Sequence, residues 1–303
     1  MRNTVSKKIS KFAEENPSVF LVTGDAGFGV WEEYQEKFQK RYLNLGVAEQ
    51  NMISFSVGLG MTGFKVFVYN IIPFVLYRCY EQVRNDICYQ NIPVTLVGTG
   101  SGVTYSPMGM THYSVEDIAL ARTLPNLAVL SPSDPVEAEK CAEFALSSEC
   151  PSYIRVAKQG EPKIHEKAIP GIEEPLVISE GQGVAVLFHG SISEEVLKAV
   201  EYLEVVPRLI SVPLLQPLNF IALQRKLKNI QTLITVEEHF IEGGLGSIIS
   251  EWIVKEELPF KIKKMGITNE FIHAIRNNLG MRKYYKISSE DIRQAIKDEY
   301  QKL

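Results

Sequence analysis

The chain has 303 residues, of which 45% are hydrophobic and 22% charged, a composition typical of folded globular proteins and not of disordered, collagen-like or coiled-coil chains. At roughly 150 residues per domain, this length predicts two domains that can each bury a core. The 32 basic and 36 acidic side chains give a formal net charge of −4, so no overall positive field favours nucleic acid or an anionic membrane as the main partner.

The cysteines and the N-terminal segment predict the cellular compartment of the protein. The N-terminal segment is amphipathic and charged, without the apolar region of a secretory signal, and no stretch reaches about 18 uncharged apolar residues. Four cysteines without C-x-x-C spacing favour small buried thiols over disulfides or zinc ligands. They are Cys79, Cys88, Cys141 and Cys150. We therefore expect a cytoplasmic protein with no membrane partner.

Short β-branched runs alternate with helical patterns, which is typical of parallel sheets covered by helices on both faces. The first half contains predicted strands at 19–23, 41–44, 65–69, 94–98, 128–130 and 152–156. Residues 161–175 are rich in proline, glycine and charge and predict a linker between domains at 1–160 and 176–303. Strands resume in GVAVLFHG, RLISVPLL and TLITVEEH, with helices at 193–203 and 218–227. The predicted fold class is α/β, with two domains, each a mostly parallel sheet covered by helices.

Ligands of open α/β sheets bind beyond the carboxyl ends of the strands, so the loops after the strands are the candidate sites. The first such loop, GDAGFG at 24–29, has three glycines that permit positive φ angles or close approach of a ligand. It is not a P-loop, because no GK[ST] follows. Asp25 could instead cap the next helix, so both interpretations stay open here.

The second strand leads into a helix dense in small residues, including Gly58 and Gly60. A glycine inside a helix costs roughly 1 kcal/mol relative to alanine, so close packing against another surface must offset it. A subunit interface is the natural candidate. Glu49 lies in the first turn of this helix, where a carboxylate also complements the helix dipole without any catalytic role.

The third loop carries an aromatic stripe, with Phe74, Tyr77 and Tyr80 at intervals of three. Such a stripe is more often core packing than a ligand site. If one of the rings lines a cleft, however, it offers a flat face for stacking a heteroaromatic ligand.

The fourth loop, 98–117, is long for a compact α/β domain, and long loops at this edge are often functional. His112 precedes a helix predicted to be capped by Ser114, with Asp117 as the reciprocal partner. A histidine beside a helix N-terminus can hydrogen-bond an anionic or hydroxylated substrate. A lone surface histidine is the alternative.

Three segments together resemble a known family. LNLGVAEQNMISFSVGLG, THYSVEDIALARTLPNLAVLSPSDP and EEHFIEGGLGS are similar to the C-terminal half of transketolases and of 1-deoxyxylulose-phosphate synthases, in family order and over nearly the whole chain. The resemblance implies a pyrimidine-binding domain of the thiamine diphosphate-binding fold, followed by the transketolase C-terminal domain. The family's GDG…N motif for diphosphate and Mg²⁺ normally lies upstream of this region.

The resemblance therefore implies one subunit of a split enzyme that uses thiamine diphosphate and Mg²⁺. Its partner would be an N-terminal diphosphate-binding subunit that supplies the Mg²⁺ ligands, in an α2β2 assembly that contains a self-dimer of this chain. Glu49 matches the glutamate that hydrogen-bonds the aminopyrimidine ring and shifts its tautomer. Phe74 best matches the aromatic residue stacked on that ring, with Tyr77 as the alternative, and Asp25 lies in the loop near the thiazolium.

The resemblance also implies substrate contacts. His112 matches the histidine of the family's D-G-P-T-H motif, and Arg155 matches the arginine that holds the substrate phosphate, a role suited to its donor fork. Two departures concern sugar recognition. Met108 replaces the aspartate of that motif, and Gly29 replaces a family serine. These departures favour a ketose other than the ordinary pentose phosphates.

The favoured function is transfer of a two-carbon ketol unit from a ketose to an aldose. The closest alternative is the β subunit of a 2-oxoacid dehydrogenase, with a lipoyl protein as acceptor, and a third is a non-catalytic assembly scaffold. In the second half, Glu237-Glu238-His239 are adjacent at a strand end and cannot all face one ion. We interpret them as structural, and the glycines at 243, 244 and 246 as part of a subunit contact.

Overall fold

The computed structural model describes residues 1–158 and 161–303 as two sheets covered by helices. The strands are β1 Val19–Thr23, β2 Tyr42–Asn44, β3 Lys65–Ile71, β4 Val94–Thr99, β5 Ala128–Leu130, β6 Ser152–Val156, β7 Leu176–Ser179, β8 Gly183–Phe188, β9 Arg208–Ser211, β10 Leu214–Gln216, β11 Ile230–Phe240 and β12 Lys261–Ile267. The helices are α1 Arg2–Glu15, α2 Glu32–Lys37, α3 Glu49–Met61, α4 Tyr80–Gln82, α5 Asp117–Arg122, α6 Pro135–Ser147, α7 Ser193–Val200, α8 Phe220–Lys226, α9 Leu245–Lys255, α10 Asn278–Tyr284 and α11 Ser289–Tyr300.

The first sheet has seven strands in the order β10-β5-β6-β4-β3-β1-β2. All six strands from the first half are parallel, and only β10 pairs antiparallel, against β5. The six predicted strands and the α/β fold class are confirmed. The predicted strand in RLISVPLL was wrong in one respect, because it divides into β9 of the second sheet and β10 of the first.

Side-chain alternation along the strands of the first sheet places apolar residues on both faces. In β1, Val19 and Leu21 pack with α1, α2 and α6, whereas Phe20 and Val22 pack with α3 and α5. A strand buried on both faces must be apolar throughout, which explains why these strands read as continuous hydrophobic runs.

The second sheet has five strands in the order β12-β11-β8-β9-β7, all parallel except β7. Helices α7, α10 and α11 cover one face, and α8 and α9 cover the other. The cluster that includes α8 and α9 also contains apolar residues of α3 and α5. One continuous apolar core therefore joins the two sheets.

The segment predicted as a linker is fastened to the first domain. Asp134 Oδ2 accepts hydrogen bonds from the backbone N–H groups of Ile164 and His165, both at 3.0 Å, and His165 Nε2 lies 2.9 Å from Glu137 Oε1. The domain boundary predicted at Gly160 lies outside the described residues. The segment that follows it is held by an acidic pair at the start of α6.

The attachment of His165 predicts a pH-dependent stability. Burial lowers the pKa of His165, but the Glu137 carboxylate outweighs burial and raises it above the usual 6.5. A raised histidine pKa stabilises the fold fully below the unfolded pKa, and that contribution is lost as the pH rises through the folded pKa. In wild type we expect the free energy of unfolding to decrease between about pH 6 and pH 8, and we expect this decrease to be absent in His165→Gln. Urea unfolding across this range measures it. The exposed His273, changed to Gln, is the control, and an identical pH slope in wild type and His165→Gln would contradict the assignment.

Three of the four cysteines are buried as predicted, and Cys150 is exposed. Within residues 1–158 and 161–303, no helix is both long and apolar enough to span a bilayer.

Candidate functional site

Four loops that carry predicted site residues leave the same edge of the first sheet. Strands β1 to β4 are mutually parallel neighbours, so their carboxyl ends lie together. Asp25 follows β1, Glu49 follows β2, Phe74 follows β3 and His112 follows β4. The fold thus explains how residues far apart in sequence gather at one edge.

The loop after β1 needs glycine for close approach. A Cβ on Gly24 would lie 2.4 Å from the Asn70 side-chain nitrogen and 3.3 Å from the Gly46 carbonyl oxygen, and Gly27 has φ +93°. Asp25 is exposed in this loop. Its predicted alternative as a helix cap was wrong, because α2 begins seven residues later with Trp31 at its N-cap.

Glu49 is the first residue of α3 and is only 6% exposed. A helix N-terminus favours a carboxylate, which offsets part of the cost of burying it. Its Oε2 accepts a hydrogen bond from Arg78 Nη1 at 2.8 Å. No hydrogen bond to Glu49 Oε1 is found among the described residues, so one acceptor of this carboxylate stays available.

Phe74 lies in a π-helical turn, Pro73–Tyr77, closed by a hydrogen bond from the Arg78 backbone N–H to the Pro73 carbonyl at 3.0 Å. Short π-helical turns of this kind frequently occur at functional sites. The Arg78 guanidinium carbon lies 4.6 Å from the Phe74 ring centroid. The His112 ring lies 5.4 Å from the same centroid, at an interplanar angle of 79°. We call Glu49, Arg78, Phe74 and His112 the edge cluster.

Arg78 was not predicted as a site residue. It follows Phe74 by four positions, a spacing at which helical side chains meet, and this spacing is the signal that could have identified it. Its side chain is 44% exposed, whereas that of Glu49 is 7% exposed. Arg78 therefore reaches into the edge cluster from solvent.

His112 presents one ring nitrogen to the site. Its Nδ1 lies 2.9 Å from the Thr111 hydroxyl, and no partner of Nε2 is found in the part of the chain described. Burial lowers the pKa of His112 below its usual 6.5, so the imidazole is neutral at pH 7. A neutral ring with a free Nε2 can exchange a hydrogen bond with a substrate hydroxyl or carbonyl.

The second domain braces the long loop that carries His112. The Tyr113 hydroxyl lies 3.0 Å from the Ala274 carbonyl oxygen and 2.9 Å from the Ser106 carbonyl oxygen, and its single hydrogen is shared between these two acceptors. The Phe240 backbone N–H donates to the Val115 carbonyl at 2.7 Å. The loop length indicated a functional segment, but nothing local in the sequence indicated that the second domain holds it.

The predicted cap of α5 was wrong. The helix begins at Asp117 with Glu116 at its N-cap, and Ser114 makes no capping hydrogen bond. Asp117 instead accepts hydrogen bonds at Oδ2 from Arg155 Nε and from the Tyr153 hydroxyl, both at 2.7 Å. A buried ion pair took precedence over local capping.

Arg155 lies away from the edge cluster's surface. It is 1% exposed, and its Nη2 donates to the carbonyls of Ser114 at 3.0 Å and Glu238 at 2.9 Å, in addition to its ion pair with Asp117. Because Glu238 belongs to β11, Arg155 ties the two sheets together. This geometry does not support the predicted contact between Arg155 and a substrate phosphate.

Tyr77 points into the protein from the same π-helical turn as Phe74. Burial and the nearby Asp117 and Glu116 carboxylates raise its pKa well above 10.0, and its hydroxyl has no partner among the described residues. Phe74, which contacts both Arg78 and His112, is therefore better placed than Tyr77 for ligand stacking.

One group of described residues has metal-ligand spacing, with its ligand atoms within 4.8 Å of one another. It consists of Asp134, Glu137 and His165, which already satisfy one another and the backbone.

The Glu237-Glu238-His239 segment has internal partners, in agreement with its structural interpretation. Glu237 accepts from the Leu245 and Gly246 backbone N–H groups at 2.8 and 2.9 Å, which caps α9. The neighbouring glycines approach other parts of the same chain closely, and the predicted subunit contact there stays a prediction. A Cβ on Gly243 would lie 2.4 Å from that of Ala119.

Comparisons with known proteins match both domains. Residues 1–162 match the family "Transketolase, pyrimidine binding domain", and residues 174–292 match "Transketolase, C-terminal domain". The chain is 32% identical to an apulose-4-phosphate transketolase subunit of Actinobacillus succinogenes, over 85% of this chain and 84% of that protein. It is 27% identical to the 1-deoxy-D-xylulose-5-phosphate synthase of Clostridium kluyveri, over 89% of this chain and 44% of the synthase. A solved split-gene transketolase, described as an inactive β4 tetramer, has a TM-score of 0.89 and 27% identity, covering 98% of this chain and 97% of that one.

Proposed function

The chain belongs to the transketolase family, and on this basis we propose that it is one subunit of a split transketolase that transfers a two-carbon ketol unit from a ketose to an aldose. The observation that carries the proposal is the placement of the Glu49 carboxylate and the Phe74 ring at the carboxyl edge of the first sheet, joined through Arg78. A buried acceptor beside an aromatic face suits a flat, nitrogen-containing ring.

The edge cluster fits the aminopyrimidine of thiamine diphosphate. When bound, this cofactor supplies a carbanion nucleophile that attacks the ketose carbonyl. Glu49 would share a proton with a pyrimidine ring nitrogen, Phe74 would stack on the ring, and Tyr77 would support the turn from inside. Asp25, exposed after β1, would border the thiazolium side. Mg²⁺ and the diphosphate are assigned to a partner chain, because the relative from A. succinogenes is itself named as one subunit of its transketolase.

His112 is proposed to bind substrate oxygens and to hold a proton for them at Nε2. Thr111 orients the ring through Nδ1. A positioned histidine of this kind contributes about 10²-fold to 10⁴-fold in general acid–base catalysis.

The substrates are proposed at the level of a ketose donor and an aldose acceptor. Met108, 55% exposed, and Gly29, exposed with φ +73°, take the places of two sugar-recognition residues in the resemblance. Arg155 has no part in the proposed substrate site.

Assembly with a second copy is proposed through α3. Phe55 is 39% exposed and Met61 is 55% exposed, and an ideal Cβ on Gly58 would meet no atom within 4 Å. Exposed apolar and small residues on one helix suit close packing against another surface. We propose that two copies meet there within an α2β2 enzyme in the cytoplasm.

The proposal predicts cofactor binding only in the assembled enzyme. Calorimetry with thiamine diphosphate and Mg²⁺ would be run on this chain alone, on a diphosphate-domain partner chain alone, and on their mixture. We expect saturable binding in the mixture alone, because each chain supplies one end of the cofactor site. Tight binding to this chain alone would contradict the split site, and absence of binding in a mixture shown to form a complex would contradict the function. In the binding-competent complex, turnover of 2-oxoacids but not ketoses would favour the dehydrogenase alternative.

A further inference from the structure

We propose that Arg78 holds the two contacts that the aminopyrimidine requires, so that cofactor binding must displace its guanidinium and Arg78 sets the cofactor affinity. This inference rests on the function proposed above. It concerns a residue that the resemblance does not mention and that only the three-dimensional arrangement brings into the site.

The first step is the likeness between the two groups. A guanidinium is planar, carries several N–H donors and stacks on aromatic faces. In this structure Arg78 Nη1 donates to Glu49 Oε2 at 2.8 Å while the guanidinium lies 4.6 Å from the Phe74 ring centroid. A bound aminopyrimidine would use the same carboxylate and the same ring. Glu49 Oε1 has no partner among the described residues, but the guanidinium lies over the Phe74 ring on which the aminopyrimidine would stack. The guanidinium and the cofactor ring therefore compete for that face of Phe74.

Of the three side chains in this contact, Arg78 is the one that can move away when the cofactor binds. Phe74 is fixed by the π-helical turn, and Glu49 is fixed at the start of α3 with a side chain only 7% exposed. Arg78 has a side chain that is 44% exposed, and its only side-chain hydrogen bond among the described residues is the one to Glu49. It can therefore withdraw into solvent without leaving another buried group unpaired.

The third step is the size of the effect. The contacts to be broken are one half-exposed ion pair and one cation–π contact, each of modest strength. Displacing Arg78 should therefore weaken cofactor binding without preventing it. We expect the dissociation constant of thiamine diphosphate to fall about fivefold when the guanidinium is removed.

The test compares the thiamine diphosphate dissociation constants of the assembled complex in wild type, Arg78→Gln and Arg84→Gln, measured by calorimetry with Mg²⁺. Arg84 is a matched control, because it is exposed, lies on the following turn and, among the described residues, donates only to the neighbouring Asn85. Removing it subtracts the same charge from the surface without touching Glu49. We expect tighter binding for Arg78→Gln than for Arg84→Gln.

A second variant separates charge from shape. Arg78→Lys keeps the positive charge but replaces the flat donor fork by a point charge on a flexible stem, so its affinity should lie between those of wild type and Arg78→Gln. Equal or weaker binding by Arg78→Gln, in a complex that unfolds at the same temperature as wild type, would overturn the inference and leave the proposed function standing. A wild-type complex that binds no cofactor would overturn both.

Discussion

Replacing Glu49 with glutamine is expected to lower the turnover of the assembled enzyme by at least about a hundredfold, at saturating thiamine diphosphate. Glutamine keeps the length of the side chain and an oxygen that can accept from Arg78, so the contact at 2.8 Å can persist in the chain without cofactor and the fold around it is preserved. The amide cannot exchange a proton with the pyrimidine ring. The variant therefore removes proton exchange while it keeps the local geometry, and steady-state kinetics measure the result.

The control for this variant is Glu81→Gln. Glu81 is exposed on α4 and, within residues 1–158 and 161–303, accepts side-chain hydrogen bonds only from the nearby Gln82 and Asn85. Its replacement removes one negative charge close to the site without reaching the edge cluster, and activity should stay within about twofold of wild type. Full activity of Glu49→Gln in a properly assembled complex would remove the catalytic assignment and favour the scaffold alternative.

The prediction of the first sheet succeeded because burial and local sequence agree there. Strands β1, β5 and β6 have the predicted bounds, since both faces of each strand are covered and every position is buried. Strand β12 was missed because it is an edge strand with three lysines among its seven residues, KIKKMGI, and most of its positions are only partly buried. Charged residues on an edge strand block pairing with other chains, and they also hide the β-pattern.

The sequence predicted those site residues whose position follows from the loop that carries them. Glu49, Phe74 and His112 follow β2, β3 and β4, which with β1 form one block of parallel strands, and the rule for parallel sheets brings their loops to one edge. Arg78 was missed because its importance comes from Glu49, which lies 29 positions earlier in the sequence. The brace on the His112 loop was missed for the same reason, since Ala274 lies 161 positions after Tyr113. Long-range polar partners leave no periodic signal in a sequence.

The sequence motif around Arg155 suggests that it binds substrate, but its contacts in the structure indicate a structural role. The residue type suits a phosphate, and the resemblance placed it in the substrate site. In the structure its Nε donates to Asp117 and its Nη2 donates to two backbone carbonyls, one of them in β11, and the side chain is 1% exposed. A phosphate could reach this guanidinium only if the contact between the two sheets opened.

The largest expected effect on stability therefore belongs to Arg155→Met. Methionine fills much of the same volume but leaves the Asp117 carboxylate, which is 0% exposed, with the Tyr153 hydroxyl as its remaining hydrogen-bond partner among the described residues. Breaking a buried ion pair by removing one partner costs about 3–5 kcal/mol. Urea unfolding measures this loss. If Arg155 instead bound substrate, the variant would raise KM and leave the free energy of unfolding nearly unchanged.

Two further variants separate the buried charge from the contact between domains. Arg122 also joins the domains, through the Glu251 carboxylate, whose side chain is 64% exposed, and through the Gly243 carbonyl at 2.9 Å. Its removal leaves no buried carboxylate unpaired, so Arg122→Met should cost about 1–2 kcal/mol, less than Arg155→Met. Adding Asp117→Asn to Arg155→Met removes the unpaired charge, and the double variant should recover part of the stability lost by Arg155→Met alone. Such recovery would show that the cost of Arg155→Met arises from a stranded carboxylate. The alternative result is a double variant whose loss in the free energy of unfolding equals the sum of the losses of Arg155→Met and Asp117→Asn. That result would assign the cost to the lost hydrogen bonds to Ser114 and Glu238, and the ion pair would not be the main contact between the sheets.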